Sequence, residues 1–523
     1  MKIFEFLKKW YHLFFLLSLI LFHGINNWLW INNNNSYYHL DDYYHLIIST
    51  KIYHIIFSDG QDYNFIGLSA FYQRPLMPFI TATFFYPIFG VSANVGIMTN
   101  VLFLAVLIFI TFAIGRKIYN KGTGMVAAFL VSMYPIVFGI SRYYTYYIGL
   151  AAIFGISIYF LLLSNKFRNQ KYSLLFGLSS GIGVLMSIFF VVLAIGPVLY
   201  VIFSSIKNSK KKERIKIYPN IFISFLICFL IAGIWNLYCM FEYDYLNRFS
   251  KTIFFQEQSI YHYLQLVKVS FIYYLEVLIN YQLFLPFFIL FCIGLFFFLK
   301  SKDKNIILLY WMLIPYLILS IKFLKQPKYT IPLLPVIAII SSFWIFKIKN
   351  KKFKKYIILL ILFIGFVQFF IVSYSTFLNN IELFGFKIEG YTNPPLKSDW
   401  NERAILMYMI DNSENNPVKT ILLIPFTYYI HESGAIDKFS STLFNPLVFS
   451  YYSTLHELPA EIYLIYNSLE VYDLVPHIDF LMIKSDYLNI KWVNDTISDL
   501  DNFHLDKKFL LPDDDEIMIF KKY

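Results

Sequence analysis

Charged residues are scarce in this chain of 523 residues: Asp, Glu, Lys and Arg make up 15% of it, whereas hydrophobic residues make up 58%. An average soluble domain carries about 25% charged residues, so the composition excludes a water-soluble globular protein. Cysteine is also rare, and all three cysteines lie inside apolar runs, so no disulfide framework is predicted. The remaining class is a polytopic membrane protein.

Charge is distributed unevenly along the chain. Residues 378–523 contain 22 acidic and 11 basic side chains, whereas residues 1–377 contain 11 acidic and 33 basic ones. This asymmetry indicates a basic part in the membrane and an acidic part in water. The lysines of the first part separate apolar stretches instead of forming one surface, so no nucleic-acid partner is predicted. We therefore expect a transmembrane domain over residues 1–377 and an extracytoplasmic domain over residues 378–523.

Eleven apolar stretches are candidates for membrane-spanning helices, each of which needs about 20 mainly apolar residues. The first has no small-residue cleavage site, so we interpret it as a retained helix and not as a signal peptide. The predicted spans are Tyr11–Ile31, Ala93–Gly115, Met125–Ile140, Tyr147–Ser164, Tyr172–Met186, Ile188–Ser205, Ile217–Met240, Phe271–Leu299, Ile306–Ile321, Tyr329–Phe346 and Tyr356–Phe377.

The loops between these spans predict the orientation. Basic loops lie on the cytoplasmic side of membrane proteins, and Lys8 and Lys9 before the first span place the N-terminus there. The five densest basic loops then all fall on the cytoplasmic side, and the acidic C-terminal region falls outside. One outer loop breaks the rule, because it contains Lys322, Lys325 and Lys328. Either an anionic partner binds there, or Lys322 and Lys325 merely extend from helix ends toward water.

The first outer segment, between spans one and two, contains two stretches that suit interfacial helices. Residues 40–57 form the first stretch, which is amphipathic and too polar to span, and the second begins at Arg74. Asp41 and Asp42 open the first stretch. They either cap that helix at the positive end of its dipole or serve as a general base for an acceptor hydroxyl.

Four motifs follow one another along the first two thirds of the chain: Asp41-Asp42 followed by Tyr44, Arg74-Pro75-Leu76-Met77-Pro78 through Phe89-Gly90-Val91-Ser92, Tyr134-Pro135 through Ser141-Arg142, and Lys325-Gln326-Pro327-Lys328-Tyr329 with Pro332-Leu333-Leu334-Pro335. Together they resemble the GT-C superfamily of membrane glycosyltransferases that use lipid-phosphate sugars, closest to its protein O-mannosyltransferase and aminoarabinose-transferase branch. Their order, spacing and predicted side of the membrane agree across residues 1–346, and the last motif is the most specific.

The resemblance implies transfer of a sugar from an undecaprenyl-type phosphate to a lipid, glycan or protein acceptor at the outer face of the bilayer. Asp41 matches the catalytic base of the family, and Asp42 then positions that base or the acceptor. Cations on the outer side are implied to stabilise the charge that develops on the departing phosphate. The implied phosphate ligands are Arg142, Lys325, Lys328 and Arg74, and weaker candidates for contact with the sugar or acceptor are Tyr44, Glu242 and Asp244.

The chain departs from the family in three places. Relatives carry an acid shortly after the motif that matches Arg142, whereas this chain continues with the tyrosine-rich run 143–147. Arg74 replaces the acid or histidine of some relatives, so no metal or other cofactor is predicted. A divalent metal on His39 and His45 is the less favoured alternative. Lys328 replaces the commoner arginine, which keeps the charge but loses bidentate phosphate geometry.

Residues 378–523 predict a small α/β domain. The runs Thr420–Ile424 and Ile478–Ile483 have the length of strands, and Trp400–Ile410 has helical spacing. The sequence lacks a nucleotide-binding loop, which suits a lipid-linked donor. Two alternatives to a glycosyltransferase stay open: a transporter or flippase of lipid-linked saccharides, and a polysaccharide polymerase or ligase. The expected fold is thus an all-α polytopic GT-C-like membrane domain with interfacial helices in the first outer loop and an α/β C-terminal domain.

Overall fold

The structure is a computed structural model, and the statements below concern the residues that it describes. These are residues 2–34, 40–57, 77–207, 209–242, 272–321, 325–376, 382–383, 386–387, 394–395, 401–415, 417–423, 429–430, 436–437, 447–456, 458–465, 477–485, 488, 491–498, 500, 502–511 and 515–523.

The part of the chain up to residue 376 is helical. Short 3₁₀ or π-helical segments at 229–233, 278–283, 327–333 and 344–347 continue several of its helices. The helices are α1 (Lys2–Asn32), α2 (Leu40–Phe57), α3 (Met77–Thr83), α4 (Tyr86–Phe89), α5 (Ala93–Ile118), α6 (Lys121–Met133), α7 (Pro135–Ile140), α8 (Tyr147–Leu163), α9 (Gln170–Met186), α10 (Phe189–Lys207), α11 (Lys211–Cys228), α12 (Ile234–Glu242), α13 (Phe284–Lys300), α14 (Ile306–Ile321), α15 (Leu334–Phe343) and α16 (Lys351–Tyr374).

All eleven predicted spans fall on helices, which confirms a multi-pass membrane protein. Within the described ranges, seven segments are long and apolar enough to cross a bilayer, and shorter apolar helices accompany them. The apolar side chains of α11 and α16 that face outward suit contact with lipid. The seven segments are Trp10–Asn32, Ala93–Ile118, Phe189–Lys207, Lys211–Tyr238, Ile272–Lys300, Pro327–Lys347 and Lys351–Tyr374.

The predicted span Met125–Ile140 is divided into two helices, α6 and α7. Pro135 disfavours helical backbone at the residue before it, and Tyr134 is accordingly extended, with φ −69° and ψ 127°. The chain therefore leaves α6 and starts again as the short helix α7. This break sets the direction in which the chain reaches Arg142, two residues after α7 ends.

The remaining elements form the predicted α/β region. Its sheet has five strands, which lie in the order β6 (Ala460–Ile465), β3 (Val418–Leu423), β7 (Phe480–Lys484), β9 (Glu516–Lys522) and β8 (Phe503–Leu510). Strand β3 is parallel to β6 and β7, whereas β9 is antiparallel to β7 and β8. The predicted strands fall on β3 and β7, and the predicted helix falls on α17. The elements are β1 (Glu382–Leu383), β2 (Phe386–Lys387), α17 (Glu402–Asp411), β3 (Val418–Leu423), β4 (Tyr429–Ile430), β5 (Ile436–Asp437), α18 (Leu447–Leu455), β6 (Ala460–Ile465), β7 (Phe480–Lys484), α19 (Lys491–Ser498), β8 (Phe503–Leu510) and β9 (Glu516–Lys522).

Helix α2 lies between the helical bundle and this α/β region. It packs against α3 on one side and against α18 on another. Leu46 and Ile47 of α2 belong to one apolar cluster with Met409 of α17 and Phe449 of α18. The predicted helix of the first outer segment is therefore present, and the α/β region covers part of it. Most of its described side chains are consequently buried.

Candidate active site

The acid pair occupies the first turn of α2. Asp42 is completely buried, and of Asp41 the structure describes only the backbone. A carboxylate in the first turn of a helix is stabilised by the positive end of the helix dipole, so the capping explanation of the pair agrees with its position. Burial of Asp42 also places a carboxylate in surroundings that exclude water.

One turn further along α2, His45 connects this helix to the segment 141–147. Its Nδ1 lies 2.9 Å from the backbone oxygen of Tyr144. The centre of its ring lies 5.4 Å from that of Phe79 on α3 and 5.9 Å from that of Tyr146. The imidazole therefore contacts both α3 and the tyrosine run from its place on α2.

Further hydrogen bonds hold the tyrosine run against the same helices. The hydroxyl of Tyr144 donates to the backbone oxygen of Pro78 at 3.0 Å and lies 3.2 Å from the Ser49 hydroxyl on α2. The amide of Asn100 on α5 donates to the backbone oxygen of Tyr143. Because backbone and side-chain groups of the run are both engaged, its position relative to α2 is fixed at several points.

A chain of ring contacts leads from α2 to the lysine-rich segment. Tyr146 stacks on Tyr147 with ring centres 4.3 Å apart, and the two hydroxyls lie 3.2 Å apart. The ammonium nitrogen of Lys328 lies 5.1 Å from the centre of the Tyr147 ring. Tyr329 also lies beside Tyr147, at 6.1 Å between ring centres. The structure thus connects the acid-bearing helix to Lys328 through His45, Tyr146 and Tyr147.

Neighbouring helices hold the lysine-rich segment in place. The amide nitrogen of Gln282 donates to the backbone oxygen of Pro327 at 2.9 Å and to the Thr330 hydroxyl at 2.6 Å. Lys325 and Lys328 are both buried, with 2% and 6% of their surface exposed. Burial lowers the pKa of Lys325 to about 8, because removal from water disfavours the charged form. Two buried cations in one segment suit the binding of an anion better than free extension toward water.

Arg142 points into the bundle. Its Nε donates to Asn27 on α1 at 3.2 Å, and one terminal nitrogen, Nη2, donates to Ser373 on α16 at 3.0 Å. The rings of Trp30 and Phe369 each lie 5.4 Å from its guanidinium carbon. The other terminal nitrogen, Nη1, is buried and has no hydrogen-bond partner among the described residues. Arg142 thus joins the first and last helices of the bundle and keeps one donor uncommitted.

The other predicted site residues are distributed differently. Arg74 and Asp244 lie outside the described residues, and Glu242 ends α12 with only its backbone described. Tyr44 is partly buried and packs against the apolar cluster that contains Phe79. Within the described ranges, no three His, Cys, Asp or Glu side chains lie close enough together to hold a metal ion.

A groove of about 760 Å³ lies elsewhere, at the edge of the sheet where β3 and β7 begin. It is lined by polar residues such as Asn415 and Lys521, and it contains none of the predicted site residues. We do not assign the catalytic centre to this groove, because the acid pair and the buried lysines lie in other elements.

Sequence reasoning missed three residues that join the predicted ones. The sequence suggested His45 only as a possible metal ligand. Tyr146 and Tyr147 were noted only because they depart from the family pattern. The available signal was the run of tyrosines directly after the motif that ends at Arg142. An aromatic run that lies between two charged motifs in the sequence is a candidate lining for a site that contains both motifs.

Comparison with known proteins supports the assignment of the fold. The family model described as dolichyl-phosphate-mannose-protein mannosyltransferase matches residues 73–235. ArnT from Cupriavidus metallidurans, bound to undecaprenyl phosphate, is similar in structure with a TM-score of 0.60 at 10% identity, over 96% of this chain and 97% of that one. The oligosaccharyltransferase AglB from Archaeoglobus fulgidus, in complex with an inhibitory peptide and a dolichol-phosphate, gives 0.53 at 11% identity, over 98% of this chain and 74% of that one.

No curated protein matches this chain in sequence. The similarity is therefore carried by the family model and by the fold, which extends over nearly the whole chain. Together they confirm the resemblance described above: this multi-pass membrane protein has the fold of the GT-C glycosyltransferases.

Proposed function

We propose that this protein transfers a sugar from a polyprenyl-phosphate donor to a lipid, glycan or protein acceptor at the outer face of the membrane. The observation that carries the proposal is the chain of contacts from the acid-bearing helix α2 through Tyr146 and Tyr147 to the buried Lys328. The polyprenyl phosphates bound to ArnT and AglB support this class of donor.

In the proposed reaction, Asp41 is the general base and Asp42 positions it or the acceptor. The acceptor oxygen attacks the anomeric carbon of the sugar while its proton passes to the Asp41 carboxylate. The bond between that carbon and the phosphate oxygen breaks, and the lipid phosphate leaves with the electron pair. The products are the glycosylated acceptor and a free polyprenyl phosphate.

The cations would stabilise the departing phosphate. Lys325 and Lys328 carry charge in surroundings with little water, where each charge acts more strongly on a developing anion than it does in bulk solvent. Arg142 has one uncommitted donor, Nη1, for the same task. Arg74, Tyr44, Glu242 and Asp244 stay in the proposal as ligands of donor or acceptor on the strength of the family resemblance.

The proposed orientation places the N-terminus in the cytoplasm and the α/β region outside. It rests on the basic loops, which fall on one side when the helices alternate. The division into a catalytic membrane domain over residues 1–377 and an outer domain over residues 378–523 belongs to the same proposal. In this arrangement the α/β region covers α2 from the outer side.

Analysis of the cell envelope by mass spectrometry tests the proposed function. We expect that cells without this protein lose one sugar from a lipid, glycan or protein and that the full chain restores it. Reconstituted protein should release polyprenyl phosphate from a polyprenyl-phosphate sugar when an acceptor extract is added. Movement of intact donor across proteoliposomes without release of polyprenyl phosphate would contradict transfer and support the flippase alternative.

A further inference from the structure

We infer that His45 is a positioning residue, which sets the distance between the acid-bearing turn of α2 and the cation Lys328. This inference deepens the proposed function and rests on it. The proposed mechanism gives His45 no part in the proton transfer or in the binding of the phosphate. It acts through the backbone of Tyr144 and through the ring of Tyr146.

The first step concerns the proton on the His45 ring. A backbone carbonyl oxygen can only accept a hydrogen bond, and Nδ1 lies 2.9 Å from the oxygen of Tyr144. Nδ1 must therefore carry the hydrogen. The bond is buried, since 2% of His45 is exposed, and a buried carbonyl that loses its donor is destabilising.

The second step concerns the orientation of the imidazole ring. Phe79 of α3 and Tyr146 lie on its flanks, with ring centres 5.4 and 5.9 Å away. These contacts restrict rotation of the ring about the Cα–Cβ and Cβ–Cγ bonds. The hydrogen bond to Tyr144 therefore joins α2 to the tyrosine run through a ring whose orientation these contacts set.

The third step connects this contact to the chemistry. His45 lies one helical turn after Asp41, so any shift of α2 at His45 moves the backbone that carries Asp41. On the other side, Tyr146 stacks on Tyr147, and Lys328 lies over Tyr147. His45 thus occupies the junction between the proposed base and a proposed phosphate ligand. A misplacement of about 1 Å between reacting groups can reduce a rate by about 100-fold.

Two variants of similar size separate positioning from simple loss of packing. In His45→Asn the side-chain nitrogen takes the place of Nδ1 and can still donate to Tyr144. In His45→Gln the nitrogen lies one carbon further out, near the place of Nε2. We expect His45→Asn to keep kcat within about 3-fold, and His45→Gln to lower kcat by about 100-fold with the KM for the polyprenyl-phosphate donor unchanged.

The matched control is His54→Asn, because His54 lies on the same helix and is also largely buried. We expect this variant to keep the kcat of the parent protein. Equal kcat values for the Asn and Gln variants, or a loss that follows Tm alone, would overturn the inference. A large rise in donor KM for His45→Gln would also overturn it, since that result assigns His45 to the binding of the donor.

A structural measurement tests the positioning role of His45 without an assay of sugar transfer. Cryo-electron microscopy of the full chain in nanodiscs should show α2 displaced from the tyrosine run in His45→Gln and unmoved in His45→Asn. An unmoved α2 in both variants contradicts the positioning role. If the parent protein transfers no sugar, the proposed function fails, and these maps still show whether His45 sets the position of α2.

Discussion

Lys328 lies over the face of Tyr147, with 5.1 Å between its ammonium nitrogen and the ring centre. A cation over an aromatic face is attracted by the quadrupole of the ring. That attraction helps to hold the lysine in place. A lysine held in this way is suited to an anionic ligand, and in the proposed topology such a ligand accounts for a basic segment on the outer side of the membrane.

Replacement of the proposed base tests the roles of the two acids. Asp41→Asn should lower kcat by at least about 100-fold, because general-base catalysis contributes about 10²–10⁴-fold. Asp42→Asn should have a smaller effect on kcat, since Asp42 only positions its neighbour or the acceptor. The measurement is release of polyprenyl phosphate by purified protein, with Tm recorded for each variant. Full activity of Asp41→Asn would remove this residue from the mechanism.

Replacement of Lys328 tests its contact with the lipid phosphate. Lys328→Gln should raise the KM for the donor by about 10-fold or more, since one charge-assisted hydrogen bond contributes about 1.5–3 kcal/mol. The KM for the acceptor should stay nearly constant. Lys300→Gln is the control, because Lys300 also lies over an aromatic ring, that of Phe296 at 4.1 Å, but belongs to a predicted cytoplasmic loop. Equal changes in both KM values would argue against phosphate contact.

Donor binding should weaken above pH 8. Burial lowers the pKa of Lys325 from 10.5 to about 8, so this side chain loses its charge in the folded protein while the unfolded chain keeps it. Between these two values the unfolded state binds more protons, and the contribution of Lys325 to the free energy of unfolding rises with pH. The KM for the anionic donor should rise over the same interval. In Lys325→Arg the rise should disappear, and an identical pH profile would contradict the role of Lys325.

Packing between α13 and α15 depends on a glycine. A Cβ atom on Gly294 would overlap with the backbone oxygen of Ile340, so Gly294→Val must separate the two helices. We expect a fall in Tm, because overpacking costs about 1–3 kcal/mol. Ile293→Val is the control, since Ile293 is exposed on the outside of the bundle. An unchanged Tm in Gly294→Val would show that α13 can move without cost.

The orientation in the membrane can be measured with single cysteines. In a protein whose native cysteines are replaced by serine, Thr376→Cys should react with a membrane-impermeant reagent from outside intact cells. Asp303→Cys should react only after the membrane is opened. Both positions are exposed at opposite ends of predicted spans. The reverse pattern would overturn the proposed topology.

The helices were predictable from the sequence because their signal is local. A run of apolar residues with basic ends specifies a span without reference to the rest of the chain, and α14 has the predicted bounds Ile306–Ile321. The division at Pro135 also had a local cause, the restriction that proline imposes on Tyr134. It was missed because hydropathy continues unbroken through that position.

The site was predictable only in its charged residues. Charged side chains are costly in the hydrocarbon of a bilayer. Acids and lysines that border apolar runs can therefore be recognised in the sequence as candidate site residues. The contact of His45 with Tyr144 joins residues 99 positions apart, and that of Arg142 with Ser373 joins residues 231 positions apart. Such pairs depend on how the helices pack, which composition and spacing do not encode.

The sequence alone determined that this protein crosses the membrane many times and carries Asp41, Asp42, Lys325 and Lys328 outside the apolar runs. The reason is the cost of placing charge in hydrocarbon. Only the tertiary structure decided that the α/β region covers α2 and that tyrosines connect this helix to Lys328. The reason is that these contacts form between surfaces brought together by folding, where shape and hydrogen-bond geometry select the partners.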